Sequence, residues 1–273
     1  MKPNPDEWRR QGREFDRASR AYHDGRPEYP QKVFELLREQ CGLGPGSKVL
    51  EVGAGSGQAT VPVLDLGAHV TVVEPGANFA DQLIRLGAGR SLRVIVATFE
   101  QAVVAEESFD LVVSATAFHW VDPAVGLPKA AAALRDHGWL ALWWTIFGDL
   151  ERPDPFHNAL QPILEAKAPE LVFQGSLPMW YALDVRERSR EIEDSGFYEP
   201  VEHHLVKWEG RHGAEEIRRL FSTFSPWLAL PEDRRIDLLA DVERLARETF
   251  GGIVVRPYQT ALYLAKRKSR LSS

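Results

Sequence analysis

Residues 49–60 read VLEVGAGSGQAT. An apolar run carries an acidic residue, Glu51, near its end, and glycine follows at positions 53, 55 and 57. A short Val/Leu-rich run closing on a glycine turn predicts a buried strand that bends sharply into a helix. Glycine lets the backbone take left-handed angles and approach a ligand closely, because no Cβ stands in the way. Turns of this kind often seat phosphates on helix N–H groups. Here a carboxylate lies two residues before the first glycine, and it would repel a phosphate. The spacing agrees, because the dinucleotide fingerprint would place its last glycine at position 58, which is Gln58. Nor does Gly-Lys-Ser/Thr follow to make a P-loop.

The same alternation continues on both sides. QKVFELLREQCGL predicts a helix opened by Pro30, and SKVLEV the first strand. GQATVPVLDLG, HVTVVE, GANFADQLIRLG and LRVIVAT predict a helix, a strand, a helix and a strand. SFDLVVSAT, PAVGLPKAAAALR and WLALWWTIF predict a fourth strand, a helix and a fifth strand. Near-continuous Val/Leu/Ile runs separated by helices indicate a parallel sheet covered on both faces. Right-handed crossovers then give an α/β, doubly wound, Rossmann-like fold.

After Phe147 the pattern changes. Helical segments are expected in PDPFHNALQPILEAKAP, DVRERSREIEDSGF, AEEIRRLFSTF and PEDRRIDLLADVERLARETF. Strands are expected in PVEHHLVKWEG and GIVVRPYQTALYLAKR. The chain thus divides into an N-terminal helical lid (1–29), a Rossmann-like core (30–150) and a C-terminal part (151–273). That last part completes the sheet at about 184–208 and 253–267, with helical cap insertions at about 151–183 and 209–252. Residues 6–22, with Trp8, Phe15, Ala18, Ala21 and Tyr22 at helical spacing, predict the amphipathic helix of the lid.

Composition narrows the function. The chain has 273 residues, 44% hydrophobic and 26% charged, long enough for a full core without covalent staples. Cys41 is the only cysteine, so no intrachain disulfide can form and a reducing, cytoplasmic setting is expected. The N-terminus lacks a signal-peptide core, and the most apolar run, GWLALWWTIFG, is too short to cross a bilayer. A formal charge of −6 gives nucleic acid no electrostatic footing. The basic end AKRKSRL reads as a solvated terminus.

The charges around the glycine turn fit a cationic ligand. S-adenosylmethionine combines a sulfonium, an ammonium and a carboxylate and has no phosphate. Glu51 can face its cationic end, and Glu74, closing the second strand about twenty residues on, can accept both ribose hydroxyls. Glu74 alone would equally suit a dinucleotide; Glu51 together with Gln58 favours the sulfonium compound.

With these residues in view, the sequence resembles class I S-adenosylmethionine-dependent methyltransferases. Within them it resembles the small-molecule branch that includes trans-aconitate-type enzymes (methyltransferase type 11). EVGAGSG, VVEP, ATFE, SATAFHWVD, FDRASRAYHDGRPEYP and VVRPYQTALYLAKR carry the resemblance. It implies strand order 3-2-1-4-5-7-6 with an antiparallel last strand, and methyl transfer leaving S-adenosylhomocysteine. It also implies that Glu51, Gly53, Gly55 and Gly57 line the methionine part, and that Glu74 holds the ribose. Thr98, Phe99 and Glu100 would border the adenine, with Ala115, Thr116 and Ala117 passing beneath. Tyr22, Arg26 and Tyr29 would meet the methionine carboxylate. Two departures stand out: many relatives have Asp at position 51, and a tryptophan soon after the Phe99-Glu100 pair, where this chain reads FEQAVV.

The methyl acceptor is expected to be a small molecule attacked through oxygen, a carboxylate or a hydroxyl. A carboxylate is already ionised at neutral pH; a hydroxyl needs a base. His119, directly after the fourth strand, is the candidate general base or a pocket-shaping residue. Trp120, Trp180, Tyr181 and Trp227 are candidate acceptor-pocket residues, within a wider aromatic set of Phe156, Met179, Phe221 and Phe224. No metal is expected: His203 and His204 are adjacent in a strand and point to opposite faces. His137 and His212 read as loop residues. Two rival readings are a catalytically silent cofactor-binding partner protein and an NAD-linked oxidoreductase, the latter disfavoured by Glu51 and Gln58.

Overall fold

The structure, a computed structural model, describes residues 25–149, 151–172 and 180–269, apart from the side chain of Trp180. The helix expected over 6–22, with Tyr22, and Met179 lie outside these residues, as does the middle of the first cap insertion.

Seven strands form one mixed sheet in the order β3-β2-β1-β4-β5-β7-β6. In chain order the elements begin with α1 (Gln31–Cys41), β1 (Lys48–Val52), α2 (Thr60–Asp65), β2 (His69–Val73) and α3 (Ala77–Leu86). Next come β3 (Leu92–Ile95), β4 (Phe109–Ala115), α4 (Pro123–Ala133) and β5 (Leu134–Ile146). They are followed by α5 (Pro155–Lys167), α6 (Val185–Glu193), β6 (Glu202–Gly213) and α7 (Ala214–Phe221). Last are α8 (Ser225–Leu228), α9 (Glu232–Phe250) and β7 (Ile253–Lys266). The β1–β2, β2–β3, β1–β4 and β4–β5 pairs are parallel. Tyr198 and Arg267, flanking β6 and β7, form an antiparallel bridge. The expected strand order is therefore the observed one.

Local chemistry explains the elements. Pro30 precedes α1 in an extended conformation, and Gly42 ends the helix at φ 70°, donating its N–H to Leu37 O. The helix buries Val33, Phe34, Leu36 and Leu37. Four of the five β1 residues are buried, as a strand covered on both faces requires. Asp122 caps α4, its carboxylate accepting from Ala124 N at 3.0 Å, and Pro123 occupies the first turn.

Two boundaries differ from expectation. The second helix is only Thr60–Asp65, because the turn itself uses the residues through 59, with Gly57 at φ 89°. The fifth strand begins at Leu134 rather than Trp139. Its register jumps between the Phe109↔Leu134 and Leu111↔Trp139 pairs, and His137 takes φ 63° there. This is a bulge, which inserts residues into a ladder without ending it. His137 is thus a strand residue, not a loop residue. His212 likewise lies in β6, buried, with its Nε2 2.9 Å from the Tyr258 hydroxyl. That buried partner, 46 positions away, has no local sequence signal.

The chain forms two compact units. The first comprises residues 29–145, 180–206 and 260–269. Its core joins α1, β1, β2, α3, β4 and β5 through Leu37, Val49, Val72, Leu83, Leu111, Val113 and Trp143. The second comprises residues 25–28, 146–149, 151–172 and 207–259. Its core gathers Phe156, Leu160, Ile217, Leu220, Phe221, Trp227, Val242 and Tyr258. Asp154 caps α5 through His157 N at 2.9 Å and accepts from Arg256 Nε at 2.9 Å. No helix among the described residues is long and apolar enough to cross a membrane.

Candidate functional site

The site is built at one end of β1, β2 and β4, in the first unit. All three glycines of the turn take positive φ: 71° at Gly53, 53° at Gly55 and 89° at Gly57. At Gly53 a Cβ would lie 2.5 Å from the Ala117 Cβ, so the close approach of two chain segments requires glycine. At Gly55 nothing lies within 4 Å of where a Cβ would be. The half-buried backbone at that point faces open space, as a ligand cradle should.

Glu51 is buried, only 1% exposed, at the end of β1 opposite Val72 of β2 and Val113 of β4. One carboxylate oxygen, Oε2, accepts from the Thr60 hydroxyl at 2.7 Å. The other, Oε1, is buried with no hydrogen-bond partner. Burial, opposed by the Thr60 bond and reinforced by the nearby Glu74 charge, pushes the Glu51 carboxyl up to about 7. A carboxylate in this condition lacks a cation. An ammonium or sulfonium close to Oε1 would supply both the missing charge and, for ammonium, the missing donor.

Glu74, also buried, follows β2 and accepts from Gly55 N and Gly76 N, both at 2.8 Å. It thereby ties the glycine turn to the start of α3. Ser56 donates to Gln58 Oε1 at 2.5 Å, which fixes the far side of the turn.

The adenine-border candidates lie after β3. Phe99 is buried under the Lys129 ammonium, which stands 5.4 Å from the ring centroid. The same ammonium donates to the carbonyls of Glu100, at 3.0 Å, and Ala102. The Glu100 carboxylate accepts from Asp122 N at 3.2 Å, and Thr98 O accepts from Gln101 N and Ala102 N. Thr98 itself is exposed.

After β4 the chain turns abruptly. Ala115 pairs with Trp143 of β5, and Thr116 takes φ 55°, its N–H donating to Trp143 O at 2.7 Å. The Thr116 hydroxyl is 3.1 Å from that of Tyr29. A 3-10 turn, Phe118–Trp120, then carries His119 into an aromatic cluster. Trp144 Nε1 donates to His119 Nδ1 at 3.2 Å, and the imidazole centroid is 4.8 Å from Trp120 and 5.7 Å from Tyr181. Burial pulls the His119 pKa down to about 3. Tyr181 has a buried, unpartnered hydroxyl, and the Arg188 guanidinium stands 5.7 Å from its ring.

Arg26, Trp227 and Phe156 belong to the second unit, whereas His203 and His204 belong to the first. The Arg26 guanidinium lies 4.8 Å from the Phe147 ring centroid and 5.1 Å from that of Phe224, and donates to Thr223 O at 3.2 Å. Trp227 is buried, its ring 5.0 Å from Phe221, and Phe156 is fully buried beside Phe221 and Phe250. His204 Nε2 meets Gln40 Oε1 at 3.0 Å, whereas His203 packs on Tyr263. Among the described residues no group of three or more His, Cys, Asp or Glu could hold a metal ion. Sequence reasoning missed Thr60 and Trp144, the hydrogen-bond partners of Glu51 and His119.

Comparison with known proteins places the chain beside methyltransferases in sequence and fold. Residues 50–142 match the model of a family described as a methyltransferase domain. An uncharacterized methyltransferase of Mycobacterium tuberculosis is 34% identical over 130 residues, 48% of this chain and 51% of that protein. The chain thus spans about half the length of the curated relatives it matches first. A candidate type II methyltransferase from Anaeromyxobacter dehalogenans superposes with a TM-score of 0.58 at 22% identity, covering 89% of this chain and 96% of that one. Phosphoethanolamine N-methyltransferase 2 of Haemonchus contortus, bound to S-adenosylhomocysteine, gives 0.56 at 12% identity, covering 93% and 58%. The chain has the class I S-adenosylmethionine-dependent methyltransferase fold, and its residues 50–142 are similar to a methyltransferase domain.

Proposed function

We propose that this protein is an S-adenosylmethionine-dependent methyltransferase that moves a methyl group onto an oxygen of a small molecule by in-line displacement. The observation that carries the reading is Glu51: a buried carboxylate beside a glycine turn, with one oxygen lacking any partner. A cationic cofactor completes that group, whereas a pyrophosphate would worsen its isolation. Glu51 and the backbone at Gly53, Gly55 and Gly57 would hold the methionine part, and Glu74 the ribose. Thr98, Phe99 and Glu100 would border the adenine. When bound, the cofactor supplies an activated methyl on a sulfonium that leaves as a neutral thioether.

The chain's own work is then orientation and exclusion of water, and orientation alone can lower a barrier by ~7–11 kcal/mol in favourable cases. His119, Trp120, Trp180 and Tyr181 would shape the acceptor pocket. Placement in the trans-aconitate-type branch rests on the sequence motifs and favours an acidic acceptor. The burial of Glu51 weighs against the NAD-linked alternative, and the intact glycine turn against a silent partner protein.

Titration calorimetry tests the reading: S-adenosylmethionine and S-adenosylhomocysteine should bind and NAD should not. Tight NAD binding, or no binding of either sulfur compound, would overturn it. Incubation of a metabolite pool with methyl-labelled cofactor then identifies the compound that gains the label.

A further inference from the structure

The hydrogen bond between Trp144 and His119 fixes what the histidine can do. An indole N–H has a proton to give and no lone pair to accept one. His119 Nδ1, 3.2 Å from Trp144 Nε1, must therefore be the unprotonated nitrogen. In a neutral imidazole the single proton then sits on Nε2. Protonating Nδ1 would set two N–H groups against each other in a half-buried cluster flanked by the Trp120 and Tyr181 rings. Trp144, 4% exposed within β5, cannot move aside without disturbing the sheet. His119 is three residues past Thr116 and two past Ala117, the residue packed against Gly53, so it follows the same end of β4 as the glycine turn.

We infer that His119 serves the reaction as a hydrogen-bond donor through Nε2–H and not as a general base, with Trp144 as its positioning residue, so that the acidic acceptor of the proposed reading has to arrive already ionised. This deepens the methyltransferase reading and rests on it for the substrate, but the tautomer of His119 stands without it. The step balances with no base. A lone pair on the carboxylate oxygen forms the new O–CH3 bond while the CH3–S bond breaks. Its electron pair stays on sulfur, giving a neutral ester and a neutral thioether, and no proton is released. The Nε2–H group would steady the oxyanion in line with the methyl. A hydroxyl acceptor would instead have to lose a proton, and the Nε2 position is already filled.

The charged groups nearest the cluster bear on other residues. Arg188 and Glu191 act on the Tyr181 hydroxyl, and Arg188 and Asp184 on that of Tyr263. None of them acts on His119, whose low pKa comes from burial. His203 packs on Tyr263, with burial and His204 lowering its pKa. Glu51 titrates near 7 and would affect cofactor affinity, so the pH test belongs at saturating cofactor.

The first arm needs no substrate. Long-range nitrogen–proton correlation spectra of histidine-labelled protein should show His119 as the Nε2–H tautomer, unchanged from pH 5.5 to 8.5. In Trp144→Phe, which removes the donor but keeps an aromatic ring, the Nδ1–H tautomer should appear. An Nδ1–H tautomer in the wild type, or titration near 6.5, overturns the assignment. So does a Trp144→Phe spectrum identical to the wild type. The second arm uses methyl-labelled S-adenosylmethionine with panels of carboxylic acids, phenols and amines. Label released by mild alkali as methanol, the mark of a methyl ester, is expected with the acids, with kcat flat across the same pH range. His119→Gln, which retains an N–H near the Nε2 position, should hold kcat within about tenfold, whereas loss of a general base costs roughly 10²–10⁴. Transfer confined to phenols or amines refutes the oxyanion. Absence of cofactor binding instead refutes the methyltransferase reading and leaves the tautomer result standing.

Discussion

Replacing Glu51 with glutamine separates what the carboxylate does for the fold from what it does for the ligand. The carboxyl sits near 7 in the cofactor-free protein against an ordinary value of 4.5, raised first by burial and then by Glu74. The folded state therefore holds a proton more tightly than the unfolded chain, and this group's contribution to stability falls as pH rises from about 4.5 to about 7. Fully ionised, it costs the fold about 3 kcal/mol. Between pH 5.5 and 8.5 the loss amounts to about 2 kcal/mol. Glutamine keeps an acceptor for Thr60 and never ionises. Its own desolvation is the same at both pH values and cancels in a comparison.

Urea unfolding of both proteins, without cofactor, at pH 5.5 and 8.5 should show the variant gaining about 2 kcal/mol on the wild type at the higher pH. The same change should weaken S-adenosylmethionine binding by roughly 10–100-fold, the usual worth of a hydrogen bond to a charged group. A wild-type-to-variant difference that does not move with pH, or a variant with undiminished cofactor affinity, would refute the electrostatic account.

Three further outcomes follow from the contacts. Gly53→Ala places a Cβ 2.5 Å from the Ala117 Cβ at φ 71°, and should lower stability by about 1–3 kcal/mol and abolish cofactor binding; a melting curve and calorimetry check it. Thr60→Val leaves both Glu51 oxygens without a donor, so the Glu51 pKa should climb above 7 and the pH-dependent loss of stability move upward with it, as urea midpoints against pH would show. Asp154→Ala removes the α5 cap and strands the Arg256 guanidinium, itself 4% exposed, so about 3–5 kcal/mol should be lost by urea titration.

The glycine turn and its strand were legible because their signals are local. Apolar runs demand burial on both faces, and glycine marks left-handed angles at 53, 55 and 57. The strand order could be anticipated because parallel crossovers and short connections leave few arrangements, and the motifs chose among them. What escaped the sequence depends on partners brought together by the sheet. Thr60 reaches Glu51 only because the chain re-enters as a helix after the turn, and Gly55 N reaches Glu74 across 19 positions. Trp144 meets His119 because β4 and β5 pair continuously past the bulge, with Ala115 opposite Trp143. The bulge before Trp139 carries Gly138, yet nothing in that pattern distinguishes a looped-out strand from a turn preceding one. Trp227 offered the same aromatic signal as Tyr181, and the two occupy different units: one buried against Phe221, the other beside His119.

Thr116 sits at φ 55° without being glycine, gripped by a backbone bond to Trp143 on one side and by the Tyr29 hydroxyl on the other. Such a residue is a bent spring, storing energy on the order of 1 kcal/mol that its surroundings must hold in check. The path of residues 117–120 is therefore dictated by their neighbours and not by their own side chains. Grafted onto another scaffold without those two clamps, the segment would relax and deliver His119 somewhere else.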